Sequence, residues 1–380
     1  MKRNLMLTPG PTNVPQRLCE VLGRPIIHHR TPQFQQYLKE AVEGLQYVLQ
    51  TENDVYILAS SGTGAMEASV CSLVSPGDKV ITVQGGKFGE RWTDLCRAFQ
   101  AEPYVLDGEW GRAVTAAQIK DCLEKDRSIK AVYVTLCETS TGVTPDIKAI
   151  GEVVAATDAV LVVDAVSGLG VEDLQTDNWK VDVVASGSHK GFMLPPGVGF
   201  VSMSGKAKAL MARSSAPKFY FDLRKYESVF AKPDTPFTPA IGIIMALTES
   251  LKIFQEQGLQ KLFAHYARLA QGVRAGIKAL GLNIFTAEGS RSNVLTAVCI
   301  PDGIDGSEVV KRMRDEHGVT IAGGQGELKG RVVRIAHMGS LDEYDLLTGI
   351  ACFEKVLNDL GYSFELGSGV AAVQKYFNEH

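Results

Sequence analysis

The chain has 380 residues, which is more than a single hydrophobic core usually serves, so two domains are expected. Apolar residues make up 45% of it and charged residues 22%, which is typical of a globular protein and excludes a disordered or fibrous one. The net charge of -4 provides no basic surface for nucleic acid or an anionic membrane, so small molecules are the expected partners.

Targeting signals and cysteine patterns point to a reducing compartment. Pro9 and Gly10 interrupt the N-terminal apolar run before it reaches the length of a signal peptide. No stretch approaches the roughly 18 apolar residues of a membrane span. The seven cysteines include no CxxC pair, so neither a disulfide framework nor a zinc site is predicted. A cytoplasmic location is therefore expected.

Short apolar runs rich in β-branched residues recur over the first half of the chain, between helix-like segments. They occupy residues 54–59, 79–83, 130–136, 159–164, 181–186 and 197–203. Runs that are apolar on both faces and lie a crossover apart predict a mostly parallel sheet covered by helices, which is an α/β fold. A binding crevice is expected beyond the carboxyl ends of these strands.

The pattern changes in the second half of the chain. Residues 242–280 have helical spacing, and the segments that follow alternate strand and helix as a smaller α+β unit. These segments are residues 293–300, 306–318, 319–324, 330–337 and 342–361. We therefore predict a large domain at residues 1–255, which includes the N-terminal segment, and a small domain at residues 256–380.

The first candidate site is the sequence SSGTGAMEA at residues 60–68, directly after a predicted strand. Small residues at a strand-to-helix turn let backbone N–H groups approach a phosphate, and the positive end of the helix adds to the attraction. A plain glycine turn capped by Thr63 is the alternative. The dinucleotide pattern GxGxxG fails because Glu67 stands at the third glycine, and no P-loop sequence occurs.

Two more strand ends carry polar residues. Thr139, in ETSTG, has a hydroxyl that could donate to a ring oxygen of a ligand, although such clusters often only form loops. Asp164 closes the run at 159–164, where it either caps the next element or holds a buried cation such as a protonated ring nitrogen.

Lys190 lies in GSHKGFMLPPG, directly after the strand predicted at 181–186. A lysine taken alone belongs on the surface, but small neighbours and a Pro-Pro-Gly turn favour a buried one here. A desolvated lysine has a lowered pKa and can form a Schiff base with a carbonyl. A phosphate cradle, an acid, a hydroxyl and an amine together match the groups of pyridoxal 5'-phosphate.

The ordered motifs resemble those of the class V, fold type I aminotransferases of the alanine-glyoxylate and serine-glyoxylate group. They run from LTPGPTNVP through SSGTGAMEA, ETSTG, VDAVSGLG and SGSHKG to GGQGELKGRVVRIAHMG, over essentially the whole chain. The resemblance implies pyridoxal phosphate, a seven-stranded sheet in the large domain and a homodimer with shared active sites. It also implies ping-pong transfer of an amino group from alanine or serine to glyoxylate or pyruvate.

The resemblance further implies a role for each matched residue. Lys190 would bond to the cofactor and then carry a proton, and Asp164 would pair with the ring nitrogen. Arg334 would hold the substrate α-carboxylate, which suits a planar guanidinium. The remaining cofactor contacts would be Ser61, Gly62 and Thr63 at the phosphate, Phe88 stacked on the ring, Thr139 beside it, and Thr238 reaching the phosphate of the partner subunit.

His189 departs from the group, which usually has glutamine before the lysine. A His-Lys pair is more typical of the cysteine desulfurases of the same superfamily, so the contact with the phosphate would differ here. A desulfurase also needs a reactive cysteine near the arginine, and none lies between Gly318 and Gly339. His28, His29 and Arg30 either edge the substrate entrance or form a structural histidine pair.

Three alternatives to the alanine or serine aminotransferase remain open at this stage. One is a class V transaminase for aspartate or an aminophosphonate, and another is a lyase or desulfurase. The third is a subunit of a larger complex that keeps the fold without turnover, against which the intact lysine, aspartate and arginine argue.

Overall fold

The computed structural model describes residues 4–380, in which helices and strands alternate along most of the chain. The strands are β1 (Leu5–Leu7), β2 (Asp54–Leu58), β3 (Lys79–Gln84), β4 (Glu102–Asp107), β5 (Ala131–Thr135), β6 (Val160–Asp164), β7 (Val183–Gly187), β8 (Gly199–Met203), β9 (Leu295–Cys299), β10 (Val319–Gly323) and β11 (Val332–Ala336). The helices are α1 (Gln16–Leu22), α2 (Pro32–Leu49), α3 (Gly62–Leu73), α4 (Lys87–Ala98), α5 (Ala116–Lys125), α6 (Ile147–Ala155), α7 (Gly205–Met211), α8 (Leu223–Phe230), α9 (Ile241–Gln257), α10 (Leu259–Ala279), α11 (Gly306–His317), α12 (Glu343–Asp359) and α13 (Ser368–Glu379). Short 3-10 helices lie at Glu288–Ser290 and Gly326–Leu328.

The larger sheet has seven strands in the order β2-β8-β7-β6-β5-β3-β4. Strand β8 runs antiparallel to both of its neighbours, and all the other neighbouring pairs are parallel. The α/β fold class and the mostly parallel seven-stranded sheet are therefore confirmed. Because the other six strands point the same way, their carboxyl ends meet at one edge of the sheet.

Both faces of this sheet are buried. On β5, Val132 and Val134 pack into one apolar core, and Ala131 and Tyr133 pack into a second core on the opposite face. Trp92 of α4 covers the second face, with its ring centroid 5.0 Å from that of Tyr133. Burial on both faces explains why these strands are continuous apolar runs in the sequence.

Strand β4 is the element of this sheet that the sequence pattern missed. It lies at the edge beside β3, and its residues are alternately exposed and half-buried. An edge strand needs no apolar residues on its outer side and tolerates a proline such as Pro103. Strand β4 therefore lacks the continuous apolar run that predicts the other strands.

A second sheet has four strands in the order β1-β10-β11-β9. Strands β10, β11 and β9 are antiparallel neighbours, as the predicted α+β unit requires, and β1 pairs in parallel with β10, with Leu7 opposite Ile321. The N-terminal strand thus lies in the sheet of the C-terminal unit. The domain boundary near residue 255 stays a prediction.

The helical region predicted at 242–280 consists of two helices. Helix α9 ends at Gln257 and α10 begins at Leu259, and Gly258 between them has a φ of 78°. Glycine adopts this left-handed conformation without a steric penalty and ends the first helix. The apolar periodicity continues across Gly258, so the sequence pattern does not reveal the boundary between the two helices.

Within residues 4–380, none of the helices combines the length and the apolar character needed to cross a membrane. All seven cysteines are free thiols. Over the same residues, no group of three or more His, Cys, Asp or Glu side chains is arranged to hold a metal ion.

Candidate active site

A cleft opens at the carboxyl edge of the large sheet, with about 360 Å³ of space that is partly open to solvent. It collects residues that follow β2, β3, β6 and β7, which are far apart in the chain. The lining consists of Ser61, Gly62, Thr63, Met66, Phe88, Arg91, Asp164, Val166, Ser167, His189 and Lys190.

The N-terminus of α3 forms one wall of this cleft. Ser61 stands at the N-cap but makes no side-chain capping bond, so the first N–H groups of the helix are available to an anion. A Cβ atom on Gly62 would lie 2.6 Å from Cγ2 of Val166. Only glycine fits at this point, and the backbone can therefore approach a ligand closely. An uncapped helix start with a glycine in its first turn is suited to binding a phosphate.

Asp164 is the last residue of β6 and is 3% exposed. Its Oδ1 accepts a hydrogen bond from the backbone N–H of Val166 at 2.8 Å, and its other oxygen makes no hydrogen bond to any residue in the range 4–380. Burial raises the pKa of this carboxyl to about 6. A buried carboxyl with one free oxygen is suited to pairing with a cation inside the cleft.

Lys190 follows β7 and is 7% exposed. Burial lowers the pKa of its amine to about 8, and nearby Asp164 opposes part of this shift. The amine donates a hydrogen bond to the carbonyl of Pro9. A lysine with a depressed pKa is a nucleophile and a proton carrier near neutral pH.

Phe88 is held at the cleft by Glu138, which is buried at the end of the β5 loop. One carboxylate oxygen of Glu138 accepts the backbone N–H groups of Phe88 and Gly89, each at 2.9 Å, and the other accepts that of Ser140 at 3.0 Å. Glu138 therefore caps α4 from a distant part of the chain. The capping fixes the ring of Phe88 relative to the strand ends.

Arg91 lines the cleft one turn of α4 beyond Phe88. Its Nη1 donates to the hydroxyl of Thr63 at 3.2 Å, and its guanidinium carbon lies 4.9 Å from the centroid of the Phe88 ring. No carboxylate of the described chain forms a salt bridge with it. The charge of Arg91 is thus available to an anionic ligand held at the start of α3.

His189 is half-buried at the floor of the cleft. Its Nδ1 is buried and has no hydrogen-bond partner within the described residues. Burial, with a smaller effect of Lys190, lowers the pKa of the imidazole to about 4. The ring is therefore neutral at physiological pH and can donate or accept one hydrogen bond to a ligand.

Arg334 and Thr139 lie together near this cleft but do not line it. Nε of Arg334 donates to the carbonyl of Gly323 at 2.8 Å, and Nη1 donates to the carbonyl of Thr139 at 2.7 Å. Arg334 is 6% exposed and has no carboxylate partner within residues 4–380, and burial lowers its pKa to about 10. A buried cation without a counter-ion is costly unless it serves a ligand.

Thr139 has a buried hydroxyl with no hydrogen-bond partner among the residues that the structure describes. A hydroxyl in this state is rare, because burying it without a bond is unfavourable. The hydroxyl is available to a polar group of a ligand.

The remaining sequence candidates lie outside the cleft. Thr238 is exposed in the loop before α9, so it is not brought to the site of its own chain. His28 is exposed and stacks near His29, with ring centroids 4.8 Å apart, and Arg30 forms a salt bridge with Asp234. None of these three residues lines the cleft, and their place at the substrate entrance stays a prediction.

Sequence reasoning missed Arg91, the capping role of Glu138, and the contact of Pro9 with Lys190. Arg91 follows Phe88 by three residues and would have been found by placing α4 on a helical wheel. Glu138 lies 50 positions from Phe88 and 49 from Gly89, and Lys190 lies 181 positions from Pro9. No local pattern records such pairings.

The fold is that of the fold type I aminotransferases, and its strand ends bring a buried lysine and a buried aspartate to one crevice. The chain belongs to the aminotransferase class V family, whose profile, described as Aminotransferase class-V, matches residues 18–335. The predicted family and the assignment as an aminotransferase are thereby confirmed.

Three similar proteins extend this result. The "Soluble hydrogenase, small subunit" of Synechococcus sp. is 40% identical over 98% of this chain and 97% of its own length. The "L-aspartate--glyoxylate aminotransferase" of Paracoccus denitrificans is 37% identical over 99% of this chain and 97% of its own. The crystal structure of ureidoglycine-glyoxylate aminotransferase from Bacillus subtilis is 29% identical, with a TM-score of 0.96 over 100% of this chain and 99% of that one.

The residues of the cleft fit pyridoxal phosphate, which the family implies. The uncapped start of α3 offers N–H groups for the phosphate, and Asp164 has a free buried oxygen for the ring nitrogen. Thr139 and His189 have buried polar atoms that lack partners in the described chain. These groups are of the kinds that the phosphate, the ring nitrogen and the ring oxygen of the cofactor would need.

Proposed function

We propose that this class V aminotransferase uses pyridoxal phosphate to transfer the amino group of alanine or serine to glyoxylate or pyruvate by a ping-pong mechanism. The observation that carries the proposal is a pair of buried cationic groups that form no salt bridge within the described residues: the Lys190 amine at the cleft and the Arg334 guanidinium near it. The first is suited to amine chemistry and the second to a carboxylate. An amino acid and a 2-oxo acid both present the groups that these side chains need.

The cofactor would be held by residues from four strand ends. The N–H groups at Ser61, Gly62 and Thr63 would bind its phosphate, Phe88 would stack on its ring, and Asp164 would pair with its ring nitrogen. His189 and Thr139 would supply the remaining hydrogen bonds. When bound, pyridoxal phosphate supplies an aldehyde that accepts an amino group and a ring that stabilises negative charge at the substrate Cα.

Lys190 would move the proton that the reaction requires. Its amine has a pKa lowered to about 8 by burial, so near neutral pH a useful fraction carries no proton. Nζ would take the proton from the substrate Cα and return it to the C4' carbon of the cofactor. Arg334 would orient the substrate for this step by holding its α-carboxylate with the outer N–H groups that Gly323 and Thr139 leave free.

Glyoxylate as the acceptor is supported by the names of two similar proteins, which act with glyoxylate. Aspartate is a second candidate for the donor, because the relative from Paracoccus denitrificans carries that name.

A homodimer with shared sites is also part of the proposal, as is a cytoplasmic location. Thr238 is exposed and lies beside a cluster of aromatic side chains, where Tyr220 stacks on Phe237 at 4.9 Å and Phe219 is 71% exposed. An apolar patch of this kind favours an interface. Light scattering should give twice the mass of the chain; a monomer would refute the shared sites.

A half-reaction screen tests the function. Purified protein is loaded with pyridoxal phosphate and mixed with alanine, serine, aspartate or an aminophosphonate, and the change in cofactor absorption is followed. Alanine or serine should convert the cofactor to the pyridoxamine form fastest, and glyoxylate or pyruvate should reverse the change. Faster conversion by aspartate would favour the second candidate.

The same screen addresses the rival functions. Ammonia or sulfide released from a single substrate would indicate a lyase or desulfurase. Protein that is colourless and stays colourless with added cofactor would refute the proposal and favour a subunit without turnover.

A further inference from the structure

The segment between β1 and α1 lies directly on Lys190. Strand β1 ends at Leu7 in the small sheet, and residues 8–12, here called the N-terminal strap, leave that sheet and cross to the end of β7 in the large one. The strap thus joins the small sheet, which carries Arg334, to the lysine of the cleft. It precedes the residues that the family profile matches, which begin at residue 18.

Three contacts connect the strap to this lysine. The Pro9 carbonyl accepts a hydrogen bond from Nζ, and the buried hydroxyl of Thr12 donates to the main-chain carbonyl of Lys190 at 2.9 Å. Between them, Gly10 lies against the side chain, where a Cβ atom would lie 2.5 Å from Cε and 2.6 Å from Nζ. The main-chain carbonyl, the side chain and the amine of Lys190 are thus contacted by three residues of the strap.

Gly10 leaves no room for a larger residue unless the lysine moves. Real Cβ atoms do not approach heavy atoms this closely. The main-chain carbonyl of Lys190 is held in place, because it accepts hydrogen bonds from the hydroxyl of Thr12 and from the N–H of Met193 at 3.0 Å. The flexible end of the lysine is therefore the part that must shift. Gly10 also has a φ of 100°, in the region that favours glycine.

We propose that the strap is a positioning element for the Lys190 amine: the Pro9 carbonyl holds the amine whenever it is not bonded to the cofactor, Gly10 sets its path, and Thr12 fixes its main chain. This inference rests on the proposed function, in which Lys190 alternates between a bonded and a free state. In the free state the amine must stay aimed at the substrate Cα, and the strap gives it one direction. The strap residues act through Lys190, and the inference gives them no contact with the substrate or the cofactor.

The test compares two forms of the cofactor on the apo-protein. Binding of pyridoxal phosphate includes a bond between Nζ and the aldehyde carbon, formed with loss of one water, and it gives a visible absorption band. Pyridoxamine phosphate has no aldehyde, so its binding leaves the amine free. A displaced amine therefore weakens the binding of pyridoxal phosphate alone, whereas a damaged cleft weakens the binding of both forms of the cofactor.

Gly10→Ala should slow the uptake of pyridoxal phosphate at least about tenfold, since a displacement of about 1 Å at a reacting atom lowers a rate by up to about 100-fold. Its affinity for pyridoxamine phosphate, measured by fluorescence, should stay within about twofold of the wild type. Gly77→Ala is the matched control, because Gly77 has a φ of 81° and no heavy atom within 4 Å of its Cβ position. The control should leave both ligands unaffected.

Two further variants keep the test decisive if Gly10→Ala folds poorly. Thr12→Val keeps the shape of the side chain but loses the hydroxyl, and it should slow uptake of pyridoxal phosphate about fivefold, as the loss of one hydrogen bond predicts. In a Lys190→Ala background, Gly10→Ala should have no effect on either ligand, because the side chain it displaces is gone.

Equal losses for the two ligands in Gly10→Ala, or unchanged uptake in both Gly10→Ala and Thr12→Val, would overturn this inference while leaving the proposed function intact. A wild-type protein that takes up no pyridoxal phosphate would overturn the proposed function and this inference together.

Discussion

Replacing Arg334 with alanine should raise the KM for both the amino donor and the oxo acid and change kcat much less. The guanidinium is 6% exposed, and its Nε and Nη1 are fixed by the carbonyls of Gly323 and Thr139. These bonds set its direction and leave the outer protons of Nη1 and Nη2 for a carboxylate. The contact is already present in the ground state, so its loss weakens binding rather than the chemical step.

The size of this effect follows from the kind of contact. A charge-assisted hydrogen-bonded pair contributes about 2 to 3 kcal/mol. Because about 1.4 kcal/mol corresponds to a factor of ten, KM should rise roughly 30- to 150-fold. Arg334→Lys keeps the charge but lacks the planar fork, so its KM should lie between those of the wild type and the alanine variant.

Steady-state kinetics with alanine and glyoxylate, each varied at a fixed concentration of the other, measure the change. Arg331→Ala is the control, because Arg331 is exposed next to the same strand and should behave as the wild type. Thermal unfolding checks that the loss of the bonds to Gly323 and Thr139 has not damaged the fold. An unchanged KM in a folded Arg334→Ala variant would refute the reasoning and remove Arg334 from the substrate site.

Three further outcomes are expected. Lys190→Ala should abolish both turnover and the visible absorption of the lysine-bound cofactor, and a variant that kept both would refute the role of Lys190. Phe88→Ala should weaken cofactor binding about 2- to 12-fold, as the loss of a stacking contact of about 0.5 to 1.5 kcal/mol predicts, measured by fluorescence titration; an unchanged affinity would show that the ring does not stack. Burial raises the pKa of Asp164 to about 6 in the folded protein, above the usual value of about 4 that it has in the unfolded chain. Its contribution to the free energy of unfolding of the apo-protein is therefore present below about pH 4 and is lost as the pH rises through 6. Apo Asp164→Asn should therefore be more stable than the wild type in urea at pH 7, by on the order of 2 to 3 kcal/mol, but not near pH 4, and equal stability at pH 7 would contradict the buried charge.

Local patterns in the sequence were sufficient for six of the seven strands of the main sheet, all but β4, and for the residues at their ends. Strands β5 and β6 are buried on both faces, so they appear as apolar runs, and each ends in a polar residue, Thr135 or Asp164. Since parallel strands end at one edge, Lys190, Asp164 and the start of α3 were expected to meet, and the cleft brings them together.

Elements defined by distant contacts could not be predicted. Strand β4 has an exposed outer side and therefore lacks the apolar run, and β1 has a partner near the other end of the chain. Glu138 was noticed only as part of ETSTG, because its role depends on the N–H groups of Phe88 and Gly89. Arg334 was found through the resemblance alone, since a single arginine in a strand carries no signal of its own burial.

The pairing of β1 with β10 has a consequence for how the enzyme is made. Roughly 300 residues separate Leu5 from its neighbour Val319, and a ribosome needs roughly a quarter of a minute to a minute to add them. Until then the first strand has no neighbour in its sheet, and the Pro9 carbonyl cannot be delivered to the lysine in its final arrangement. The nascent large sheet and the residues that line the cleft, from Ser61 to Lys190, are made earlier, whereas the contact of Pro9 with the lysine amine takes its final arrangement only after the C-terminal unit has emerged.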